Sequence, residues 1–190
     1  MMQNHIQAYL SDLQTAVTNL PHAEIMRAIE VLQEARLAQR QIFIMGNGGS
    51  ASTATHFVCD LGKNTRVAGL PHFRVIGLAD NMAAFSAYGN DDGYASVFAQ
   101  QLDGLVQPQD VVIGISTSGK SPNVLEAVAL ANERGAFTIG FTGFDGGALA
   151  GMVHLQLHVP SHCIEHVEDL HLVLEHLITF QLRRLARAAG

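Results

Sequence analysis

Cysteine is scarce in this chain of 190 residues: Cys59 and Cys163 are the only two, and they form no CxxC pair. A dense disulfide framework of the secreted type is therefore excluded, and a reducing cytoplasm fits best. Long apolar runs are also missing. The opening MMQNHIQAYLSDLQ has no continuous hydrophobic region of a signal peptide, and no segment approaches the roughly 18–20 apolar residues that cross a bilayer. The expectation is a soluble, untargeted protein with no membrane partner. Positive charge is in short supply too: eleven Lys and Arg against seventeen Asp and Glu leave a net charge of −6. Such a balance disfavours nonspecific binding to nucleic acid or anionic lipid. A small molecule or a protein is the expected partner, with no direct nucleic-acid contact.

What is present is core material. Apolar residues make up 48% and charged residues 15% of the chain, which suits a folded protein, and the length suits a single domain spanning 1–190. Ile6, Leu10, Leu13, Val17 and Leu20 recur at spacings of four and three, predicting a first helix that ends near Pro21. Ile25, Ile29 and Leu32 mark a second over about 22–38. This N-terminal hairpin, residues 1–38, carries an apolar stripe that needs cover from the main body or a second subunit. Residues 39–190 then read as an α/β core with a closing helix. Its strands are QIFIMG (41–46), FRVIGL (73–78), DVVIGI (110–115), AFTIGF (136–141) and HLQLHVP (154–160). Continuous apolar runs of this kind belong to a parallel sheet covered on both faces. Ser121 as N-cap, Pro122 in the first turn and Gly135 at C′ define a helix over 122–134. The last helix, about 163–187, presents Val167, Leu170, Leu174, Leu177 and Ile178 on one face.

Two polar loops follow strands. Gly46-Asn47-Gly48-Gly49-Ser50-Ala51-Ser52 matches neither GxGxxG nor GxxxxGK[ST], which argues against a dinucleotide or nucleoside triphosphate. Its glycines and the helix start behind it suit a phosphate or polyhydroxyl ligand, or serve only as a turn. Ser116-Thr117-Ser118-Gly119-Lys120-Ser121 places four hydroxyls at the carboxyl end of a central strand, where open α/β sheets bind ligands. It reads as a phosphate cradle built from neutral donors.

With GNGGSASTATHF (46–57), YGND (88–91), GISTSGKSPNV (114–124), TGFDGG (142–147) and VEDLHLVLEHL (167–177) in that order, the chain resembles the SIS (sugar isomerase) domain family. Within it, the similarity is to the phosphoheptose isomerases, which act on sedoheptulose 7-phosphate. The resemblance implies a three-layer α/β/α sandwich around a five-stranded parallel sheet, and a homotetramer with active sites between subunits. It also implies substrate contacts from Asn47, Gly48, Gly49, Asn90, Asp91, Ser116, Thr117, Ser118 and Ser121, with Ser50 in the same pocket.

His56 and Asp60, at i and i+4, share one helical face. Glu168 and His176 stand about 80° apart around the last helix. Two helices could converge on one cation through His56, Asp60, Glu168 and His176, and the mixed imidazole and carboxylate set suits zinc, with other divalent ions possible. The resemblance carries His56 and His176 onto metal positions of the family. Asp60 stands where the family has Glu, and Glu168 where it has Gln. Glu175 and His171, on the same helix, read as packing or surface residues.

Aldose–ketose isomerisation needs a proton moved between adjacent carbons and another between oxygens, work for a histidine and a carboxylate. The catalytic expectation is His176 with Asp60 or Glu168, and a remote phosphate held by the serine loop for orientation. The alternative is a noncatalytic SIS protein that binds a phosphosugar or a protein partner, resembling the regulator that associates with the bacterial replication initiator. Four retained ionisable groups favour the enzyme.

Overall fold

The computed structural model describes residues 2–188. Helices α1 (Met2–Thr18) and α2 (His22–Leu37) form where expected, separated at Pro21, but they do not pack along each other as a hairpin: α2 lies on the closing helix and the last strand, and α1 touches that same helix. Their apolar faces have different fates. Ile25, Ala28, Val31, Leu32 and Ala35 of α2 are buried, whereas Ile6, Leu10 and Val17 of α1 are exposed. Leu20 is buried and Leu13 packs on the core, so the stripe of α1 is covered only in part by the described residues of its own chain.

Five strands follow: β1 (Gln41–Gly46), β2 (Arg74–Gly77), β3 (Val111–Ile115), β4 (Phe137–Thr142) and β5 (Leu155–His158). All pair in parallel, in the order β2-β1-β3-β4-β5. The connecting helices are α3 (Gly49–Cys59), α4 (Met82–Asp91), α5 (Val97–Asp103), α6 (Pro122–Glu133) and α7 (Gly147–Met152), and α8 (Ile164–Ala188) closes the chain. The architecture is the expected α/β/α sandwich.

Alternate strand residues feed two cores. Ile42, Ile44, Ile113, Ile115 and Phe141 pack against Leu32, Phe57, Leu174 and Ile178, so α2, α3 and α8 cover one face. Phe43, Met45 and Val112 pack against Phe98, Val124, Val128 and Leu149, placing α5, α6 and α7 on the other. A strand between two helical layers must be apolar on both sides, which is why β1 and β3 read as unbroken hydrophobic runs. Strand β2, at the sheet edge, leaves Arg74 and Ile76 exposed. Gly114 in β3 lets α6 sit close, because a Cβ there would lie 2.8 Å from Val124 Cγ1.

Two helix ends depart from the sequence expectation. Ser121 does precede Pro122 at the start of α6, but its side chain caps no backbone N–H. Its Oγ instead lies 3.0 Å from Ser116 Oγ, and Asn123 Oδ1 accepts from the Val124 N–H at 3.0 Å. Helix α3 does not run through Asp60 as an α-helix; Asp60–Asn64 form a π turn. Such turns insert an extra residue per turn and re-aim the side chains that follow.

The strand order reverses between β1 and β3, the switch point at which doubly wound sheets open a crevice. Gly46 is in register with Ile115, so the chain leaves both strands at one level. Both polar loops therefore emerge side by side.

Candidate active site

The loop after β1 is held by geometry only glycine allows. A Cβ on Gly46 would lie 2.6 Å from the Ser50 carbonyl oxygen, and Gly48 has φ of +54°. Asn47 and Asn123 form a reciprocal amide pair across the crevice, each Nδ2 donating to the other's Oδ1 at 2.8 and 2.9 Å. Tyr94 donates its hydroxyl to Asn47 Oδ1 at 2.8 Å. These bonds tie the first loop to the start of α6 and to the segment after α4. Asn90 and Asp91 end α4, exposed and bonded to each other at 2.7 Å. Gly49 and the buried Ser50 open α3.

In the second loop Ser116 is buried, while Thr117, Ser118 and Ser121 are partly open. The loop is braced from behind. Gly143 N–H donates to the Thr117 carbonyl at 2.8 Å and Leu149 N–H to the Gly119 carbonyl at 3.0 Å. Gly119, with φ of +64°, comes so near the β4–α7 loop that a Cβ would fall 1.9 Å from the Gly146 carbonyl oxygen. Lys120 is drawn to Asp145, Nζ to Oδ2 at 3.0 Å, and this bond holds the Asp145 carboxyl below its ordinary range. With its lysine neutralised, the loop offers hydroxyls, backbone N–H groups and the N-terminus of α6, a set suited to a phosphate dianion.

On the other face of the sheet, α3 and α8 run side by side and bring together His56, Asp60, Glu175 and His176, whose ligand atoms all lie within 4.8 Å of one another. The Nε2 atoms of His56 and His176 are 3.3 Å apart. Glu175 Oε1 is 3.7 Å from His56 Nε2 and 3.6 Å from His176 Nε2, and Asp60 Oδ1 is 3.8 Å from His56 Nε2. Asn64 donates to Asp60 Oδ1 at 2.6 Å, fixing that carboxylate from within the π turn. The imidazoles are about half exposed and the Glu175 side chain is wholly buried.

These separations can be tested against a metal. Four donors at about 2.0–2.1 Å from one zinc ion stand about 3.3–3.4 Å apart along the edges of a tetrahedron. Four of the six observed spacings, 3.3–3.8 Å, approach that figure, and all six lie within 4.8 Å. Glu175 Oε1 is buried with no hydrogen-bond partner among the described residues, and burial, with the nearby Asp60 charge, pushes its carboxyl up to about 8. A buried, unpartnered carboxylate oxygen is costly. A cation between the four groups removes that cost, so the residues present fit a divalent metal.

Three of the four expected ligands thus meet, and Glu168 does not join them. Its carboxylate packs over Gly49, where a Cβ would lie 2.6 Å from Oε1. Seven residues along an α-helix keep Glu168 on the face of Glu175 but about 10 Å from it along the axis. Glu175, read from sequence as a packing residue, occupies the place expected of Glu168; the signal for it was the same helical stripe, two turns on. Elsewhere on α8, His171 is buried edge-on to Phe141 with ring centroids 5.7 Å apart, and burial lowers its pKa to about 4. His154 and His158 bond to Thr138 and Thr142, and His166 packs on Tyr9.

The SIS domain profile matches residues 5–143. The phosphoheptose isomerase of Geobacter metallireducens is 36% identical over 171 residues, covering 83% of this chain and 89% of that protein. That of Geobacter sulfurreducens is 39% identical over 151 residues, covering 78% of each. Among solved structures, phosphoheptose isomerase GmhA from Neisseria gonorrhoeae superposes with a TM-score of 0.86 at 31% identity, covering 96% of this chain and 98% of that one. The Francisella tularensis phosphoheptose isomerase gives 0.88 at 28%, covering 97% and 99%. By profile, by sequence and by fold, the chain belongs to the phosphoheptose isomerase family of SIS-domain proteins.

Proposed function

We propose that the protein is a phosphosugar aldose–ketose isomerase that converts sedoheptulose 7-phosphate to a heptose 7-phosphate through an enediolate. The observation that carries this reading is the pairing of two imidazoles with two carboxylates on α3 and α8, in a chain that also holds a braced hydroxyl loop at its switch point.

Ser116, Thr117, Ser118 and Ser121, with the α6 N-terminus, hold the phosphate. Asn47, Gly48, Gly49, Ser50, Asn90 and Asp91 border the sugar, and Glu168 over Gly49 accepts from its hydroxyls. Fixing the remote phosphate supplies orientation, so the proton transfers proceed within one bound complex. Asp60, held by Asn64, takes the proton from C1 of the ketose and returns it to C2. His176, half exposed at the rim of the cluster, moves the second proton between the two oxygens. His56, Asp60, Glu175 and His176 would hold a divalent cation, zinc by ligand chemistry, which supplies charge stabilisation for the developing oxyanion.

Within one chain the cluster and the serine loop serve opposite layers of the sheet. A homotetramer in which one subunit's cluster faces another's cradle resolves that separation. The bare apolar faces support it: Ile6 and Leu10 on α1, and Val173, Phe180 and Leu185 on α8, are exposed. A cytoplasmic setting agrees with Cys59 and Cys163 being unpaired. No described helix is long and apolar enough to cross a membrane.

The test is incubation of metal-analysed protein with sedoheptulose 7-phosphate and shorter ketose phosphates, following aldose formation. Turnover of the seven-carbon ester is expected. Failure to convert any of them overturns the reading.

A further inference from the structure

We infer that Glu175, and not Glu168, is the carboxylate that completes a divalent-cation site with His56, Asp60 and His176, leaving Glu168 to the sugar-binding loop. The inference rests on the metal-assisted reading above and assigns its second acidic ligand.

Position comes first. Glu175 Oε1 lies 3.7 and 3.6 Å from the two imidazole Nε2 atoms, close to the spacing of donors around one zinc ion. The Glu168 carboxylate lies against Gly49, at the first turn of α3, whereas His56 is seven residues further along that helix. Since α3 and α8 run side by side, Glu168 pairs with the start of α3 and Glu175 with its end.

Burial adds an independent reason. The Glu175 side chain is fully enclosed, and Oε1 has no donor among the described residues; its other oxygen meets Thr179 Oγ1 at a long 3.4 Å. Hydrophobic packing alone gives no reason for a carboxylate there, since leucine or methionine would fill the same helical position at no desolvation cost. Two imidazole nitrogens and a second carboxylate aimed at the same point are the surroundings in which an enclosed acid is useful to a cation. Glu168, partly exposed at the loop mouth, needs no such partner.

The consequence is a division of labour along α8. The turn around Glu168 serves ligand recognition, and the turn around Glu175 and His176 serves the cation. The shorter arm of Asp60 fits this arrangement, because the opposing carboxylate approaches from the buried side.

The experiment is a calorimetric zinc titration of chelator-stripped protein for wild type, Glu175→Gln, Glu175→Leu and Glu168→Gln. Zinc affinity should fall about tenfold or more in both Glu175 variants and stay within about twofold of wild type in Glu168→Gln. Cobalt(II) spectra of wild type and Glu168→Gln give a readout independent of whether the Glu175 variants fold: both should show the intense visible bands of a four-coordinate ion. Wild-type affinity in Glu175→Gln and Glu175→Leu overturns the inference. So does loss of zinc, or of the four-coordinate spectrum, in Glu168→Gln. A wild-type protein that binds no zinc also overturns it, and sugar turnover by that same protein would leave the isomerase reading standing. Zinc loss confined to the Glu175 variants, with no turnover of any ketose phosphate by wild type, would uphold the inference and sink the isomerase.

Discussion

His171 and Glu175 are one turn apart on α8, and burial acts on them in opposite senses, lowering the imidazole to about 4 and raising the carboxyl to about 8. His171 is neutral in the folded chain near pH 7, and an unfolded chain regains the ordinary value of 6.5. Below pH 6.5 the unfolded state binds the extra proton, so this contribution to stability is complete above 6.5 and is lost as pH falls toward 4. The loss amounts to about 3 kcal/mol. Urea unfolding between pH 4 and 7 should show that slope, and His171→Leu should flatten it. At the chemical end, His176→Ala should lower kcat by about 10²–10⁴ while inhibition by a nonreactive phosphate ester stays within about twofold. A variant of undiminished kcat removes His176 from the proton transfers. The i,i+4 spacing put His56 and Asp60 on one helical face, and the family resemblance, not periodicity, brought His176 to them. Periodicity could not choose between Glu168 and Glu175, since both lie on one stripe and only depth along the axis separates them.

At the scale of elements, the most constrained segment is the serine loop. Gly119 combines a positive φ with a backbone approach that no side chain can share. Gly119→Ala should destabilise the fold by at least about 1–3 kcal/mol and raise KM for phosphate esters, read by thermal unfolding and steady-state kinetics. An alanine variant with wild-type melting and KM would show that the loop is free to shift. The five strands were legible because apolar runs between glycine- and serine-rich turns have one economical explanation, a parallel sheet covered on both faces. The start of α6 was legible from Ser121-Pro122. The role of the Ser121 side chain was not: a capping serine and a serine facing Ser116 have the same local sequence, and the partner that decides is in the preceding strand end. The Asn47–Asn123 amide pair was also out of reach, since 76 residues of chain separate its members.

For the whole molecule, the exposed faces of α1 and α8 set the expectation. Leu10→Glu with Phe180→Glu should lower the particle mass measured by light scattering below that of the proposed tetramer, and isomerase activity should fall with it. An unchanged mass would show that these faces are not interfaces. Subunit mixing asks more. His176→Ala and Ser116→Ala, each inactive alone, should recover part of the wild-type turnover when unfolded and refolded together, if the cluster of one subunit serves the cradle of another. No recovery would place a complete site within each chain. The stripe of α1 was visible in the sequence as a surface requiring cover; which neighbour covers the rest of it is a property of the assembly that spacing within one chain does not encode.

The sheet also acts as a partition. The hydroxyl loop leads into the α6 layer and the imidazole–carboxylate cluster lies in the α3 and α8 layer, with the apolar strands between them. Each can therefore be rewritten by mutation without disturbing its counterpart. A lineage that lost both imidazoles would still hold its ester, as a receptor for a metabolite it no longer transforms.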